Sequence, residues 1–508
     1  MKVTIDPVTR IEGHLKVETK IENHRVIDAK CSADMFRGIE KALKGYDYLT
    51  AIQITQRVCG CCPYAHSEAA ALAIENALNI ELPYNGILLR NIIITSFKIA
   101  DYLLHFYSLG AIDFINMKAV LAYNGKDEDL IKFKYYLLKE LSSSNISPSI
   151  LFLKNYEGNY LKLKELNFII IKHYLEFFEI YKKLGELIRI FGNKFHHFTS
   201  IEPGGVSTIP TGDKIVHFMN LFKDIKSFVQ QKYFQDVIEV SKEFKKYFKI
   251  GKADSNFLTF NTIKELDGNY VFSGGFSRDF NLEKKVDPYL IVEFQGYSYY
   301  KGNGGYKPLE LDDLEPISYE EFENTKKYSW SRAPRYKGYV VEVGPAALLI
   351  NTYLSGINKT FNKLVDKVNK EVGIVLKDYN SVMGRYLARA IISYHMVDKI
   401  EEYINLVKEG EKAITPLPKI PSNKIGVGLT EATRGALAHF IEIGENGFIR
   451  NYEMIVPSTW NISPKDDKGE KGILEKMLIG TYVEDEENPI EIARIIRSTD
   501  PCLGCAVH

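Results

Sequence analysis

Four of the six cysteines form two Cys-x-x-Cys pairs near opposite ends of the 508-residue chain, Cys59 with Cys62 and Cys502 with Cys505. Two residues between cysteines allow both sulfurs to bind one ion from a single turn. Two such turns brought together supply four thiolates to a soft or borderline metal. Zinc ribbons place their pairs about 15–20 residues apart, whereas most of the chain separates these two. The spacing predicts a metal site joining both ends, and it leaves structural zinc, a redox metal and coincidence open.

The elements that must bring the pairs together are predicted to be mostly helical. Apolar residues recur at helical spacing in Tyr64–Leu78, Ile87–Ser108, Phe152–Phe191, His217–Phe248 and Asn351–Val407. The first 30 residues alternate like a strand pair with a turn near Glu22–Arg25, and Gly268–Gly305 is typical of a small irregular β region. We therefore predict a mainly α fold with small β elements (α+β), in which peripheral small sheets surround a long-helix bundle core.

The chain shows no boundary between independent domains, so residues 1–508 are predicted to form one unit. The N-terminal strands and the first metal motif occupy residues 1–68, and a helical core follows in residues 69–260. The irregular β region covers residues 261–345. A helical segment and the second metal motif occupy residues 346–508.

Composition excludes several classes of protein. Lys plus Arg (65) equals Asp plus Glu (65), so the charge does not predict nucleic-acid binding. Six cysteines are too few for a disulfide scaffold in a chain of this length. No apolar run is long enough to span a membrane, and the N-terminus has no signal-peptide pattern. We therefore expect any export or membrane attachment to occur through a partner.

The sequences around the cysteines, RVCGCCPYAH (Arg57–His66) and DPCLGCAVH (Asp500–His508), resemble the metal-binding motifs of the large, catalytic subunit of nickel–iron hydrogenases. Further blocks resemble the same family in the same order. They are TRIEGHLKVE (Thr9–Glu18), MFRGIE (Met35–Glu40), HFYSL (His105–Leu109), YSWSRAPRY (Tyr328–Tyr336), VEVGP (Val341–Pro345), GLTEATRGALAH (Gly428–His439) and NYEMIVPSTWN (Asn451–Asn461). The motifs VPSTWN and DPCLGCAVH are most similar to those of the respiratory uptake type. This resemblance makes zinc the minor alternative.

The resemblance implies roles for the four cysteines. Cys59 and Cys502 resemble the terminal ligands of nickel, and Cys62 and Cys505 resemble the ligands that bridge nickel to an iron carrying carbon monoxide and cyanide. Such a centre cleaves dihydrogen reversibly and heterolytically into protons and electrons. The fold implied is that of a nickel–iron hydrogenase large subunit.

The resemblance also implies roles for residues around the centre. Glu12 resembles the glutamate that relays the proton beside a terminal cysteine. Arg434 resembles a guanidinium that overhangs the metals, and Asp101 and Asp500 resemble its two carboxylate partners. For Asp101 the alternative is a helix residue that faces solvent, and for Asp500 it is a local cap before Pro501.

A second cation site is implied near the C-terminus. Glu40, His508 and the main-chain carbonyl of Met454 resemble the protein ligands of a magnesium-type ion, which prefers oxygen ligands and keeps several waters. In this family a C-terminal extension is usually removed after the corresponding histidine, so the sequence resembles the processed form. Other histidines, such as His14, His66 and His105, are expected to make hydrogen bonds rather than bind metal.

Three departures from the family pattern leave the ligand set intact, and one of them is Ser108 at a position that is often histidine. Cys61 lies between the ligands where an aliphatic residue is usual, and we expect it to be a small buried apolar residue. Thr433 precedes Arg434 where proline is common. These three positions bear on oxygen tolerance, catalytic bias and redox potential.

The electrons released by dihydrogen cleavage are expected to pass to another protein chain. Once four cysteines hold the centre, only Cys31 and Cys61 remain, too few for an iron–sulfur cluster. The family implies an iron–sulfur small subunit across an obligate interface of more than about 2,000 Å². It also implies a membrane electron acceptor reached through partner subunits, on the periplasmic or another extracytoplasmic side. A cytoplasmic location is the alternative.

Two other functions share parts of this sequence pattern. A regulatory hydrogen sensor would use the same ligands with little turnover. A scaffold relative, like the respiratory-complex subunits of this fold, lacks the cysteines, so the intact quartet argues against that reading.

Overall fold

The computed structural model describes residues 1–142, 159–311, 314–322, 325–418 and 421–508. Helices dominate this part of the chain. They are α1 (Ile39–Leu43), α2 (Thr50–Thr55), α3 (Pro63–Leu78), α4 (Tyr84–Leu104), α5 (Glu128–Ser142), α6 (Lys164–Gly192), α7 (Gly212–Phe228), α8 (Phe234–Glu243), α9 (Tyr319–Phe322), α10 (Pro345–Ser355), α11 (Lys359–Val372), α12 (Val382–Leu406), α13 (Pro457–Asn461), α14 (Ile473–Leu478), α15 (Ile490–Thr499) and α16 (Leu503–Ala506).

The strands are short and form small antiparallel sheets. They are β1 (Lys2–Ile5), β2 (Leu15–Glu22), β3 (Arg25–Ala33), β4 (Ile201–Glu202), β5 (Gly205–Val206), β6 (Asn256–Thr259), β7 (Thr262–Lys264), β8 (Tyr270–Phe272), β9 (Gly275–Arg278), β10 (Asn281–Glu283), β11 (Ile291–Phe294), β12 (Gly305–Tyr306), β13 (Ala333–Tyr336), β14 (Lys424–Ala432), β15 (Gly435–Ile443) and β16 (Ile449–Ile455). The three-stranded sheets run β1-β2-β3, β10-β9-β6, β12-β11-β13 and β14-β15-β16, and β4-β5 and β7-β8 are pairs. The predicted α+β class with small sheets is confirmed.

Long helices build the core. Helix α4 packs against α6 and α12, and its buried face includes polar as well as apolar side chains. Helix α11 shows the usual amphipathic pattern, because its buried residues Phe361, Val365, Val368 and Val372 recur every three or four positions. No helix in the described ranges has the length and apolar character that a membrane span requires.

Several predicted helices contain interruptions. Helix α4 continues after Leu104 as a π-helical segment, His105–Gly110, and α7 passes into α8 through another, Val229–Tyr233. The predicted helix Asn351–Val407 is three helices, because the side chains of Asn358 and Ser381 accept backbone N–H bonds and start α11 and α12. Residues 152–158 of the predicted helix Phe152–Phe191 lie outside the described residues.

Close packing of α3 against β14 connects the two regions that carry site residues. A Cβ atom on Gly428 of β14 would lie 1.9 Å from the carbonyl oxygen of Ala69 in α3, so only glycine allows this approach. Helix α3 starts directly after Cys62, and β14 leads to Arg434 in the turn before β15. The contact therefore sets the first cysteine pair and the arginine at a constant separation.

Candidate metal centre

Four sulfur atoms from the two ends of the chain lie together in the interior. The Sγ atoms of Cys59 and Cys502 are 3.2 Å apart, those of Cys62 and Cys505 are 3.4 Å apart, and all four lie within 4.8 Å of one another. All four residues are buried, whereas Cys61 lies outside this group and is half-buried rather than buried as expected. Thiolates at about 2.3 Å from one ion lie about 3.8 Å apart, so the donor set fits a thiolate-bound metal.

The first pair occupies a tight loop between a 3-10 turn, Gln56–Val58, and helix α3. Cys62 is the N-cap of α3 and Pro63 its first residue, a position that proline favours. The backbone N–H groups of Cys61 and Cys62 donate to Cys59 Sγ at 3.2 and 3.3 Å. The contact with Cys502 raises the pKa of the Cys59 thiol. Contacts with Cys505, Cys61 and Cys62 outweigh that effect and bring this pKa down to about 6. The loop therefore favours a thiolate, the form that binds metals.

The second pair starts helix α16 and is bound to the N-terminal segment. The N–H of Cys502 donates to Ser458 Oγ at 2.9 Å, and the N–H of Leu503 donates to the carbonyl of Glu12 at 3.0 Å. The carboxylate of Glu12 accepts from the N–H of Gly504 at 2.8 Å and lies 3.1 Å from Cys502 Sγ. The predicted relay residue thus touches a sulfur of the quartet.

Arg37 joins the two cysteine loops, and sequence reasoning did not identify it. Its guanidinium donates to the carbonyl of Arg57 at 2.9 Å, to that of Val58, and to the carbonyl of Gly504 at 3.0 Å. The one sequence signal for this residue is its place inside the block MFRGIE. Arg37 therefore helps to keep the two pairs at their separation.

Arg434 binds Asp500 through two groups. Its Nε donates to the Asp500 carbonyl at 2.7 Å, and its Nη2 donates to the Asp500 carboxylate at 3.0 Å. Burial lowers the pKa of Arg434, but the charges of Asp500 and of nearby cysteine sulfurs outweigh burial and raise this pKa above its usual value. Burial also opposes ionisation of Asp500, but the arginine holds the pKa of this carboxyl below its usual value. The result is a buried ion pair beside the quartet.

Asp101 is buried rather than exposed to solvent, and its carboxylate binds Thr433, the residue before Arg434. Its Oδ2 accepts from Thr433 Oγ1 at 2.7 Å, and that hydroxyl contacts the Tyr64 hydroxyl at 2.8 Å. Burial raises the pKa of Asp101 to about 8, against the lowering effect of Arg434. Thr433, at the position where the resemblance leads us to expect proline, therefore supplies a hydroxyl that binds the aspartate.

The histidines make hydrogen bonds, as expected. His66 Nε2 lies 3.5 Å from Cys505 Sγ, and its Nδ1 lies 3.1 Å from His439 Nε2. Burial lowers the pKa of His66 to about 3. His105 contacts a main-chain carbonyl at the end of α15, and His14 contacts a carboxylate at the surface.

The three predicted magnesium ligands also lie together, but a side chain occupies the point on which they converge. Glu40 Oε1 and His508 Nε2 are 3.2 Å apart. Arg332 Nη2 lies 3.1 Å from Glu40 Oε1, 3.1 Å from the Met454 carbonyl oxygen and 2.7 Å from His508 Nε2. Burial raises the pKa of Glu40, but the charges of Arg332 and His508 outweigh burial and bring this pKa down to about 2. The residues present thus fit a cation here, but they leave no free position for a metal ion while Arg332 keeps this conformation.

Comparisons with known proteins agree with this geometry. The family model described as "Nickel-dependent hydrogenase" matches residues 37–508, and a model described as "HoxL-like" matches residues 2–32. The chain is 32% identical to the periplasmic [NiFeSe] hydrogenase large subunit of Desulfomicrobium baculatum, over 100% of this chain and 95% of that protein. It is 31% identical to the quinone-reactive Ni/Fe-hydrogenase large chain of Wolinella succinogenes, over 100% and 96%.

Solved structures show the same similarity. The Ni-Fe-Se hydrogenase of D. vulgaris Hildenborough in the reduced state matches with a TM-score of 0.84 and 33% identity, over 100% of both chains. The overlap covers every segment that carries a predicted site residue.

Proposed function

Because this chain belongs to the nickel-dependent hydrogenase family and is the large, catalytic subunit of a nickel–iron hydrogenase, we propose specific roles for its site residues. Cys59 and Cys502 would hold nickel as terminal ligands, and Cys62 and Cys505 would hold nickel and iron together. The observation that carries this assignment is the convergence of four buried sulfurs from both ends of the chain. All four positions are cysteine, so the proposed centre contains no selenium. We also propose that residues 1–508 form one structural unit.

When bound, the nickel–iron centre with carbon monoxide and cyanide on iron supplies the heterolytic cleavage of dihydrogen. The protein must then remove a proton from a buried site. Glu12 is placed to do so, because its carboxylate lies 3.1 Å from Cys502 Sγ. The N–H of Gly504 orients the same carboxylate from the other side. Glu12 therefore acts as general base in one direction and as general acid in the other.

Arg434 provides a permanent positive charge beside the centre. Asp500 holds the guanidinium through Nε and Nη2, and Nη1 has no hydrogen-bond partner among the described residues. A free N–H pair on a fixed guanidinium is available to substrate or to the ligands of iron. Asp101, through Thr433, supports the chain segment next to this arginine.

Arg434→Lys is expected to lower hydrogen-dependent dye reduction by about 10²-fold while nickel and iron contents stay at the wild-type level. A lysine ammonium is a single point charge and cannot bind Asp500 twice while it presents a further planar donor. Arg385→Lys is the matched control, because Arg385 is an equally buried arginine that is paired with Glu342. Wild-type kinetics in Arg434→Lys would contradict the proposed role.

The cofactors implied by the family also include a magnesium ion. We propose Glu40, His508 and the carbonyl of Met454 as its protein ligands. The ion can bind there only when Arg332 withdraws, since Arg332 Nη2 is within 3.1 Å of all three atoms. The ion and the guanidinium are thus competing occupants of one position.

The proposed partner is an iron–sulfur small subunit that receives the electrons. The surface nearest to the quartet suits this role, because Gly60 and Arg57 of the first cysteine loop are exposed and Cys61 is half-buried. A cluster docked there would lie close to nickel. One relative is named as quinone-reactive and another as periplasmic. From these we propose a membrane electron acceptor reached through further subunits, with an extracytoplasmic location.

Infrared spectroscopy and turnover of the purified complex test this function together. Bands from cyanide and carbon monoxide on iron are expected, and hydrogen should reduce an artificial electron acceptor. A complex with the bands but little turnover would be the hydrogen sensor instead. Absence of both the bands and nickel would refute the proposed centre.

A further inference from the structure

Two segments from opposite ends of the chain lie side by side next to the quartet. They are the N-terminal segment, residues 9–13, and the C-terminal segment, residues 497–504. Glu12 pairs with Cys502 in a parallel β-bridge, and the carbonyl of Glu12 accepts from the N–H of Leu503 at 3.0 Å. The position of the Glu12 carboxylate beside the Cys502 sulfur therefore depends on what holds these two segments together.

One carboxylate, that of Asp113, binds both segments. Asp113 is fully buried, and it accepts two hydrogen bonds from Arg497 Nη1, at 2.8 and 2.9 Å, and one from Arg10 Nη2. Arg10 belongs to the N-terminal segment and Arg497 to the C-terminal segment. Burial raises the pKa of Asp113, but the charges of three arginines outweigh burial and hold this pKa below its usual value. An ionised carboxylate thus pairs with guanidinium groups from both ends of the chain.

Further contacts of the two arginines fix the backbone of the N-terminal segment. Arg497 Nε donates to the carbonyl of Thr9 at 3.0 Å, and its Nη2 donates to Thr9 Oγ1 at 3.1 Å. Arg10 Nη1 donates to the carbonyl of Leu109, in the π-helical segment that follows α4, at 2.9 Å. The chain is therefore attached to the core directly before Glu12.

The backbone of the N-terminal segment turns sharply at the residue that Asp113 binds. Arg10 has a φ of +59°, in the left-handed region that residues with a Cβ atom disfavour. This conformation lets the Arg10 side chain contact Asp113 while Glu12 contacts Cys502. A Cβ atom on Gly13 would lie 2.6 Å from Leu503 Cβ, so the two segments are also in close contact after Glu12. The ion pair compensates for an unfavourable turn.

We propose that Asp113 is a positioning residue that holds the Glu12 carboxylate beside Cys502 through Arg10 and Arg497. The inference rests on the relay role proposed for Glu12, and it adds the contacts that place this carboxylate. Displacement of a reacting group by about 1 Å can lower a rate by about 10²-fold. If Asp113 only stabilised the fold, the amides that bind Glu12 would not respond selectively to loss of the ion pair.

Amide hydrogen exchange of the intact complex, followed by mass spectrometry, tests the positioning directly. The N–H groups of Leu503 and Gly504 donate to Glu12, so their exchange reports the contact between the segments. In Arg10→Gly, the glycine adopts the left-handed conformation but lacks the guanidinium. We expect these two amides to exchange at least about 10-fold faster than in the wild type. Exchange of dihydrogen with solvent deuterium, per nickel, should slow by about 10- to 10²-fold at wild-type nickel and iron contents.

Two further variants and a control separate positioning from a general loss of stability. Asp113→Asn should expose the same two amides, because it removes the charge that both arginines bind. Arg10→Lys should recover most of the protection, since its ammonium still pairs with Asp113. Lys337→Gly is the matched control, because Lys337 is another cation with a left-handed φ, +50°, and it pairs with Glu283 instead. It should leave both amides at the wild-type rate.

Wild-type exchange of the Leu503 and Gly504 amides in Arg10→Gly would overturn the proposal, whichever group relays the proton. Equal loss of protection in Arg10→Lys and Arg10→Gly would overturn it too, because the ion pair would then not be the cause. The two Arg10 variants decide the question even if Asp113→Asn does not fold. Lost amide protection with dihydrogen exchange at the wild-type rate would support the positioning and refute the relay role of Glu12. The two failures are therefore distinguishable.

Discussion

A large subunit with serine in place of Cys505 is expected to contain neither nickel nor iron and to lose hydrogen oxidation by at least about 10³-fold. Cys505 Sγ lies 3.1 Å from Cys502 Sγ and 3.4 Å from Cys62 Sγ, so it contributes to one side of a closed quartet. A serine hydroxyl is a hard ligand that stays protonated near neutral pH, whereas nickel and low-valent iron in such sites require soft thiolates. Three remaining sulfurs cannot satisfy both metals if Cys505 bridges them.

Metal analysis of the purified subunit measures this outcome, and infrared bands from iron ligands give a second reading. Cys61→Ser is the matched control, because Cys61 belongs to the same region of the site but lies outside the quartet. It should keep both metals and most of the activity. Cys62→Ser, the other proposed bridge, should behave as Cys505→Ser does. Wild-type nickel and iron in either proposed bridge variant would refute the bridging assignment.

Local spacing explains why the quartet was predictable from the sequence. Each Cys-x-x-Cys pair places two sulfurs on one turn whatever the rest of the chain does, and each pair starts a helix, α3 or α16. The long amphipathic helices were predictable for a similar reason, since the 3.6-residue period is visible without tertiary information. The interruptions at Asn358 and Ser381 were missed, because a single capping side chain ends the continuity of an otherwise unbroken apolar pattern.

Contacts between distant residues were not predictable in this way. Arg332 reaches Glu40 and His508 across 292 and 176 positions, and no local pattern encodes the meeting of these three side chains. The resemblance names Glu40, His508 and the Met454 carbonyl as the proposed magnesium ligands, but it does not name Arg332, which contacts all three. Arg37 was missed and Thr433 was left open, since the partners of Arg37 are main-chain carbonyls and that of Thr433 is a buried carboxylate. Such partners are defined only by the folded chain.

Glu12→Gln is expected to slow the exchange of dihydrogen with solvent deuterium by about 10²–10⁴-fold, the range typical for loss of a general acid–base group. The amide has nearly the same shape as the carboxylate. It can still accept from the N–H of Gly504 and approach Cys502 Sγ, the two contacts that Glu12 makes through Oε2. What the amide cannot do is take up and release a proton. The metals and the fold should therefore be unaffected while proton transfer fails.

The measurement combines isotope exchange with infrared spectra and metal content on the same preparation. Glu18→Gln is the matched control, because Glu18 lies nearby in the sequence on β2 and pairs with Lys2 at the surface. Glu12→Asp should restore part of the exchange, since a shorter carboxylate still titrates but lies farther from the sulfur. Lost metals in Glu12→Gln would indicate a structural role for the contact with Gly504. A wild-type rate of exchange in Glu12→Gln would mean that another residue relays the proton, because this variant lacks the carboxylate beside Cys502.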